Sequence, residues 1–387
     1  MTESRKPLSA SFGGQTEKGS QHHDDRINRY GERRKRARMF MRWLKEQDTS
    51  GRDDLQRLQG DLSQCANWLL FHNYYQVDEI RLAAATTCKR HLVCPFCAAR
   101  RGAKQVEKYT ERLAEILKAN PHLKPAMLTL TVVNGEDLTE RFNHLVSSFR
   151  KLQDHRRQYL RKGRGKTEFA KVAGAVFSYE VTNKGKGWHP HLHAVVLLED
   201  WIDREALSKE WQRITGDSYI IDIRQLAKGT KDVLDRQGNI SPKIVEAFGE
   251  VFKYALKFSD LDFSDNLHAY EVLRGKRLQG AFGLFWGVKV PETLLDDPLD
   301  GQPYLEMIYR FDGRAYQLTV TRQPETHVIS GRLHRAPGLL FTVPHTAALA
   351  LLLIRIRDNV TQTTREGSQG AGAARSAKRE DSGPLTA

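Results

Sequence analysis

Residues 188–197 read WHPHLHAVVL, a segment in which histidines alternate with other residues before a hydrophobic run. Side chains of a strand point alternately to the two faces of its sheet, so His191 and His193 share one face while Leu192 points into the core. Two imidazoles on one face can share a metal ion. His189 could add to that face, or it could orient a metal ligand without binding the metal itself. One strand histidine is usually only a hydrogen-bonded polar group, but three at alternate positions favour a metal site.

A second strand is predicted over residues 174–181, joined to residues 191–198 by a short turn rich in lysine and glycine. The two strands are therefore expected to form an antiparallel hairpin. Glu180 lies on the first strand and is the expected third ligand, because metals that serve phosphate chemistry also take oxygen ligands. A surface glutamate at a strand end is the alternative. Two imidazoles, one carboxylate and open positions suit Mg²⁺ or Mn²⁺ activating a phosphate, or another divalent ion.

The elements around the hairpin follow the order strand, helix, strand, strand, helix, strand, helix. The hydrophobic patterns predict strands over 126–133 and 218–223, and helices over 104–118, 136–161, 203–213 and 241–260. Helices on one side of a mixed or antiparallel sheet would give an α+β fold.

The last of these helices carries a polar stripe opposite its apolar face. At 100° per residue, Glu250, Tyr254 and Lys257 lie on one side. A tyrosine hydroxyl with a glutamate one turn earlier and with Lys253 and Lys257 nearby can supply a nucleophile, a base and phosphate-binding groups. The same stripe is also typical of an ordinary helix surface.

The cysteines of the chain are clustered, at Cys65, Cys88, Cys94 and Cys97. Four cysteines in 387 residues are too few for a disulfide scaffold, which favours a reducing compartment. Residues 94–97 read CPFC, the spacing of a zinc knuckle, so the four thiolates are expected to bind one structural Zn²⁺. Reduced structural cysteines are the alternative. Such a site would place Arg100, Arg101 and Lys104 against DNA.

Composition makes nucleic acid the first partner to test. Lys and Arg total 61 against 47 for Asp and Glu, which gives a formal net charge of +14, and the molecule therefore attracts polyanions. Basic residues clustered over 25–45 predict a helix that contacts a phosphate backbone, or alternatively a solvated charge run. The sequence contains no Gly-rich loop ending in Lys and Ser or Thr, so DNA unwinding would need a partner helicase.

Composition also divides the chain into parts. Residues 1–28 and 361–387 are expected to be disordered tails, because they cannot bury enough surface to become ordered. The parts between them are a basic helix and cysteine region over 29–104, a catalytic domain over 105–290, and a region of unknown role over 291–360 with a hairpin over 309–319. The polar N-terminus resembles no secretory signal, and the apolar run over 339–354 is short for a membrane span. A soluble protein of the bacterial cytoplasm, without a membrane partner, is expected.

Taken in order, the motifs resemble those of plasmid rolling-circle replication initiators, the single-tyrosine branch of the HUH endonucleases. The resemblance is carried by LTLT at 128–131, the histidine strand at 188–197 and the segment 250–257, with further matches over 88–101 and 275–284. It implies an HUH nickase-like palm, an antiparallel sheet covered by helices, preceded by a small Cys-rich zinc-binding region. Relaxases of conjugation have the same metal site, but their tyrosine precedes the histidines, whereas here it follows them.

Carried over to this chain, the resemblance implies that His191 and His193 bind the divalent metal and that Tyr254 attacks the scissile phosphate at an origin. The products would be a 5′-phosphotyrosine and a free 3′-hydroxyl. Glu250 occupies the position thought to activate a water at termination. The implied partners are single- and double-stranded origin DNA, a host helicase and a host DNA polymerase.

Two other functions fit parts of the sequence. A single-tyrosine transposase would use the same nicking chemistry to move a DNA element, although the cysteine cluster and the motif order favour replication. A zinc-containing DNA-binding regulator without catalysis would explain the charge and the cysteines. It would leave the alternating histidines and the stripe around Tyr254 as coincidence.

Overall fold

The computed structural model describes residues 20–227, 230–233, 240–253 and 261–324. Its helices, in chain order, are α1 (Ser20–Glu46), α2 (Asp53–Gln64), α3 (Pro95–Ala119), α4 (Leu138–Lys162), α5 (Arg204–Thr215), α6 (Thr230–Val233), α7 (Pro242–Val251) and α8 (Phe263–Leu273). Its strands are β1 (Trp68–Tyr74), β2 (Glu79–Ala85), β3 (Lys124–Thr131), β4 (Val172–Asn183), β5 (Trp188–Leu198), β6 (Ile221–Gln225), β7 (Gln279–Gly283), β8 (Leu305–Phe311) and β9 (Tyr316–Arg322).

Within these residues, a five-stranded antiparallel sheet has the order β6-β3-β5-β4-β7. β4 and β5 form the predicted hairpin, paired from Asn183 opposite Trp188 to Val172 opposite Leu198. The turn between them uses Gly187 at φ 80°, a conformation that costs glycine little. Local alternation and a glycine turn specify this hairpin, so both strand predictions are confirmed.

Helices cover both faces of this sheet. On one face α4 and α5 pack through Phe149 and Trp211, and on the other α3 and α7 pack through Leu113 and Phe248. The prediction of an antiparallel sheet covered by helices is confirmed. The prediction that the helices lie on one side of the sheet was wrong. The C-terminal half of β5, residues 194–198, is apolar at every position and fully buried, so it requires cover on both sides.

A second antiparallel sheet, with the order β2-β1-β8-β9 among the described residues, joins segments distant in sequence. The predicted hairpin over 309–319 is present as β8 and β9, and Asp312 closes its turn by accepting from the backbone N–H groups of Arg314 and Ala315. β8 pairs with β1, so part of the region over 291–360 completes a sheet with the cysteine region. A pairing between such distant segments leaves no local signal.

Two predicted boundaries of the N-terminal half were wrong. α1 begins at Ser20, so residues 20–28 of the expected tail are helical. Tertiary contacts order this end, because Ile27 is buried and Arg26 binds Asp296. The boundary between residues 104 and 105 falls inside α3, because the CPFC segment opens the same continuous helix.

α7 ends at Val251, whereas the apolar pattern predicted a helix to residue 260. The Val251 carbonyl accepts a hydrogen bond from the Ser178 hydroxyl of β4. The rest of the predicted helix, over 254–260, lies outside the described residues. Phe252 is buried against Tyr109, with ring centres 5.1 Å apart, which holds the chain after the helix in place. Tyr254 and Lys257 lie outside the described residues.

The remaining predictions for the chain ends also fall outside the described residues. These include residues 1–19, the apolar run over 339–354 and the tail over 361–387. None of the helices within the described ranges has the length and apolar character needed to cross a bilayer.

Candidate metal centre

A polar row crosses one face of the five-stranded sheet. Its members stand opposite one another on successive strands, from β6 to β7: Asp222, Thr129, His193, Ser178 and Gln279. Residues directly opposite in antiparallel strands point to the same face. The neighbouring row on that face is apolar and packs with α3 and α7, through Met127, Val195, Val176 and Ala281. The candidate site therefore begins where the apolar layer of this face ends.

Glu180, His191 and His193 bring three possible ligand atoms within 4.8 Å of one another. Glu180 stands opposite His191, and its Oε2 lies 3.2 Å from His191 Nε2 and 3.1 Å from His193 Nε2. Glu180 and His191 are buried, at 2% and 8% exposure. The strand register thus brings together the two histidines and the carboxylate that the sequence suggested. These three residues could hold a divalent metal ion.

Hydrogen bonds at Nδ1 orient both imidazoles. His191 Nδ1 lies 3.3 Å from the His189 carbonyl, an acceptor to which an N–H at Nδ1 can donate, and this contact turns Nε2 towards Glu180. His193 Nδ1 lies 3.1 Å from Thr129 Oγ1. Two imidazoles that turn Nε2 towards a shared carboxylate could hold a cation between them. Thr129 had no predicted role, because only the register of β3 against β5 places it opposite His193.

The His189 side chain is not part of this group. Its Nδ1 lies 2.6 Å from Asn134 Oδ1, and its ring centre is 5.4 Å from that of His191. Burial lowers the pKa of His189, and the neighbouring His191 lowers it further. The structure thus places the His189 ring against Asn134 and outside the three ligand atoms that meet. The alternative role of orienting a ligand is the one that its backbone carbonyl performs.

The four cysteines also meet in space and are free thiols. Cys65 Sγ lies 3.5 Å from the sulfurs of Cys94 and Cys97, and Cys88 Sγ lies 3.6 Å from that of Cys97. Tetrahedral coordination with Zn–S bonds of about 2.3 Å puts sulfurs about 3.8 Å apart, whereas a disulfide needs about 2.05 Å. The four thiols could therefore hold one metal ion.

We expect Cys94→Ser to release bound zinc and to lower the thermal midpoint by roughly 10 °C, because metal-binding energy in such a cluster is folding energy. Elemental analysis and a thermal melt measure the two effects. His91→Ala is the matched control, since the His91 ring contacts the Cys97 carbonyl and lies outside the thiol group. Wild-type protein purified without zinc would contradict the prediction.

Two cations that were predicted to face DNA are buried instead. Arg100 is 5% exposed and donates to Asp296 Oδ1 at 2.5 Å, and Lys104 is 3% exposed and donates to Asp297 at 2.9 Å. Burial alone would raise the pKa of Asp296, but the charges of Arg100 and Arg26 hold it well below its usual range. If Arg100 moved to a phosphate, the buried carboxylate of Asp296 would lose part of the positive charge that balances its own. The DNA-binding prediction was therefore wrong for Arg100 and Lys104.

The predicted basic helix is confirmed as α1, but several of its cations point inwards. Arg34 is 2% exposed and donates to the Leu62 and Ser63 carbonyls. The Arg36 guanidinium lies 4.3 Å from the Phe263 ring centre. Exposed cations that could contact a phosphate backbone are Lys35, Arg42 and Lys45.

The other predicted DNA contacts keep surface positions. Arg101 lines a surface cleft and donates to the Pro291 carbonyl at 2.7 Å. Lys253, which follows α7, forms an ion pair with Glu250, and both side chains are about one-third exposed, at 29% and 31%. The sequence left open that Glu250 belongs to an ordinary helix surface, and this ion pair is an interaction of that kind.

The fold and the site define an α+β protein with a candidate divalent-metal centre on its sheet. The family model described as "Replication protein" matches residues 79–301. The chain therefore belongs to the replication protein family, and the family resemblance of its motifs is confirmed.

One similar protein is a protein rep of Streptococcus pneumoniae serotype 2 (strain D39 / NCTC 7466). The two are 27% identical over 227 residues, which are 53% of this chain and 63% of that relative. The chain thus spans less than two thirds of the length of the relative. No solved structure matches the chain.

Proposed function

We propose that this protein is a plasmid replication initiator that nicks one DNA strand at the origin, using Tyr254 and a divalent metal ion. The observation that carries the proposal is the Glu180, His191 and His193 group, whose ligand atoms lie within 4.8 Å of one another. Membership of the replication protein family supports it. The net charge of +14 supports nucleic acid as the substrate.

Glu180, His191 and His193 would hold Mg²⁺ or Mn²⁺, which when bound would polarise the scissile phosphate and offset its charge. Two imidazoles and one carboxylate leave coordination positions open for phosphate oxygens. Thr129 and the His189 carbonyl keep the two rings oriented through their Nδ1 atoms. The catalytic unit would then comprise the five-stranded sheet and the helices that cover it.

Tyr254 is the proposed nucleophile because it follows an anchored point of the chain. The Val251 carbonyl is bound by Ser178, and Ser178 stands opposite His193. The tyrosine oxygen would bond to phosphorus and the 3′-oxygen would leave, giving a 5′-phosphotyrosine and a 3′-hydroxyl. Lys257 would bind the phosphate.

A host helicase and a host DNA polymerase would then open the duplex and extend the 3′-hydroxyl. The proposal is tested by incubating the protein with single-stranded fragments of its own replicon and Mn²⁺. A covalent protein–DNA adduct that resists SDS and does not form in EDTA is expected. DNA binding without an adduct on either strand would instead indicate a DNA-binding regulator. Joining of the cut end into new target DNA would indicate a transposase.

We further propose that Glu250 activates the water that releases the phosphotyrosine at termination. Glu250→Gln should still nick and attach, but multimeric single strands should accumulate in place of unit-length circles. Lys253→Met is the matched control, because it breaks the observed ion pair and keeps the carboxylate. If Glu250 only pairs with Lys253, both variants should give wild-type circles and lose only a few tenths of a kcal/mol of stability.

A further inference from the structure

A surface cleft of about 300 Å³ lies beside β7, between α3 and the segment that follows α7. Three aromatic side chains line it: Tyr109, Phe252 and Trp286. Trp286 is 76% exposed, more than any other large apolar side chain in the described ranges. An indole that buries so little of its surface contributes little to the fold, and such a group at a cleft suits stacking on a ligand.

The same cleft is cationic. Arg101 and Arg277 both line it, and the cleft has no acidic side chain among its described lining residues. Burial raises the pKa of Tyr109, while the charges of Arg277 and Arg101 act in the opposite direction, so both guanidinium groups lie near this phenol. Arg101 donates to the Pro291 carbonyl and Arg277 to the Gln279 carbonyl. A guanidinium has five N–H donors, so either group can also bind a phosphate.

Amide groups add hydrogen-bonding capacity to this cationic, aromatic cleft. Gln105 from α3 donates to Gln279 Oε1 of β7 at 2.5 Å, which ties the two walls together. One amide pair with a single shared hydrogen bond keeps further donors and acceptors for the polar edge of a base. An aromatic platform, two arginines and paired amides together match the requirements of a nucleotide better than those of an apolar ligand.

The strand register places the cleft close to the candidate metal ligands. Gln279 stands opposite Ser178, and Ser178 stands opposite His193, so all three lie on the same face. Two strand spacings of about 4.8 Å place the backbone of Gln279 roughly 10 Å from that of His193. Phe252, another lining residue, precedes Tyr254 by two positions. A DNA strand cut at the metal centre can therefore pass directly over the cleft.

We propose that the cleft binds a nucleotide of single-stranded DNA flanking the scissile phosphate, with its base stacked on Trp286 and its phosphate on Arg101 and Arg277. The location next to a scissile phosphate rests on the proposed nicking function. Binding of a single-stranded nucleotide rests on the cleft alone. Removing one stacking platform lowers single-strand affinity by roughly tenfold to a hundredfold.

The test measures the affinity of the full-length protein for a fluorescent oligothymidylate of about 15 nucleotides, in EDTA so that no cleavage intervenes. Trp286→Ala should weaken binding by roughly tenfold to a hundredfold, and Trp286→Phe should restore most of the affinity because it restores a stacking face. Arg277→Ala should weaken binding and lower the salt dependence by about one ion. Trp201→Ala is the control, since Trp201 is 39% exposed and lies outside the cleft.

Unchanged affinity in Trp286→Ala, with a thermal midpoint equal to that of wild type, would overturn the proposal and leave the cleft to a protein partner. Equal losses in Trp286→Ala and Trp201→Ala would also overturn it, because the effect would not be specific to the cleft. The two proposals fail separately. If the protein forms no covalent adduct but Trp286→Ala lowers its affinity, the cleft proposal stands and the nickase proposal fails. If the protein forms the adduct but Trp286→Ala binds as wild type does, the nickase proposal stands and the cleft proposal fails.

Discussion

Replacing Tyr254 by phenylalanine is expected to abolish covalent attachment to DNA and to leave single-strand affinity within about twofold of wild type. Phenylalanine keeps the ring and removes only the oxygen that would bond to phosphorus. Loss of a nucleophile costs at least about 10⁴-fold, so the adduct should fall below detection. An SDS gel of a 3′-labelled strand measures it, because the protein would stay on the 5′-phosphate of the labelled fragment.

Tyr219→Phe serves as the control for Tyr254. Tyr219 is 59% exposed, so its hydroxyl can be removed with little effect on packing. This variant should attach to DNA as wild type does. An adduct of normal yield from Tyr254→Phe would assign the nucleophile to another residue.

Removing either imidazole of the metal centre is expected to lower nicking by about 10³-fold or more. Activation of a phosphate by a metal ion is worth several kcal/mol, and each 1.36 kcal/mol is about a tenfold change in rate. His191→Ala and His193→Ala should therefore both behave like wild-type protein in EDTA. Cleavage of a labelled origin strand at several Mn²⁺ concentrations measures the loss.

His189→Ala separates the ligand group from the histidine motif as a whole. Its ring contacts Asn134, and the carbonyl that orients His191 belongs to the backbone and survives the substitution. This variant should keep most of its nicking activity. Full activity of His191→Ala in EDTA would show that no metal is needed at this position.

The sequence predicted those parts of the fold and the site that depend on local pattern. The alternation of His191 and His193 with Leu192 indicated a strand with a metal-binding face, and the structure places both rings beside Glu180. The hairpin was predictable because its turn is short and glycine-rich. A hairpin fixes which residues of its two strands face each other, so Glu180 followed from the same reasoning.

Features that depend on contacts distant in sequence could not be predicted. Arg100 was expected to face DNA. Asp296, which binds it, lies far along the chain and leaves no signal in the sequence around Arg100. α7 ends at Val251, whose carbonyl accepts from Ser178 of β4, and nothing in the sequence of the helix indicates that contact. Thr129 was left without a role for the same reason, since the register of β3 against β5 sets its contact with His193.

The most direct test of the central claim is to identify the bond between the protein and DNA. The adduct is digested with trypsin and nuclease, and the modified peptide is sequenced by mass spectrometry. The proposed function predicts a 5′-phosphate on Tyr254, in the tryptic peptide YALK at 254–257 that follows Lys253. A phosphate on any other residue, or a protein attached to the 3′ end of the cut strand, would contradict it.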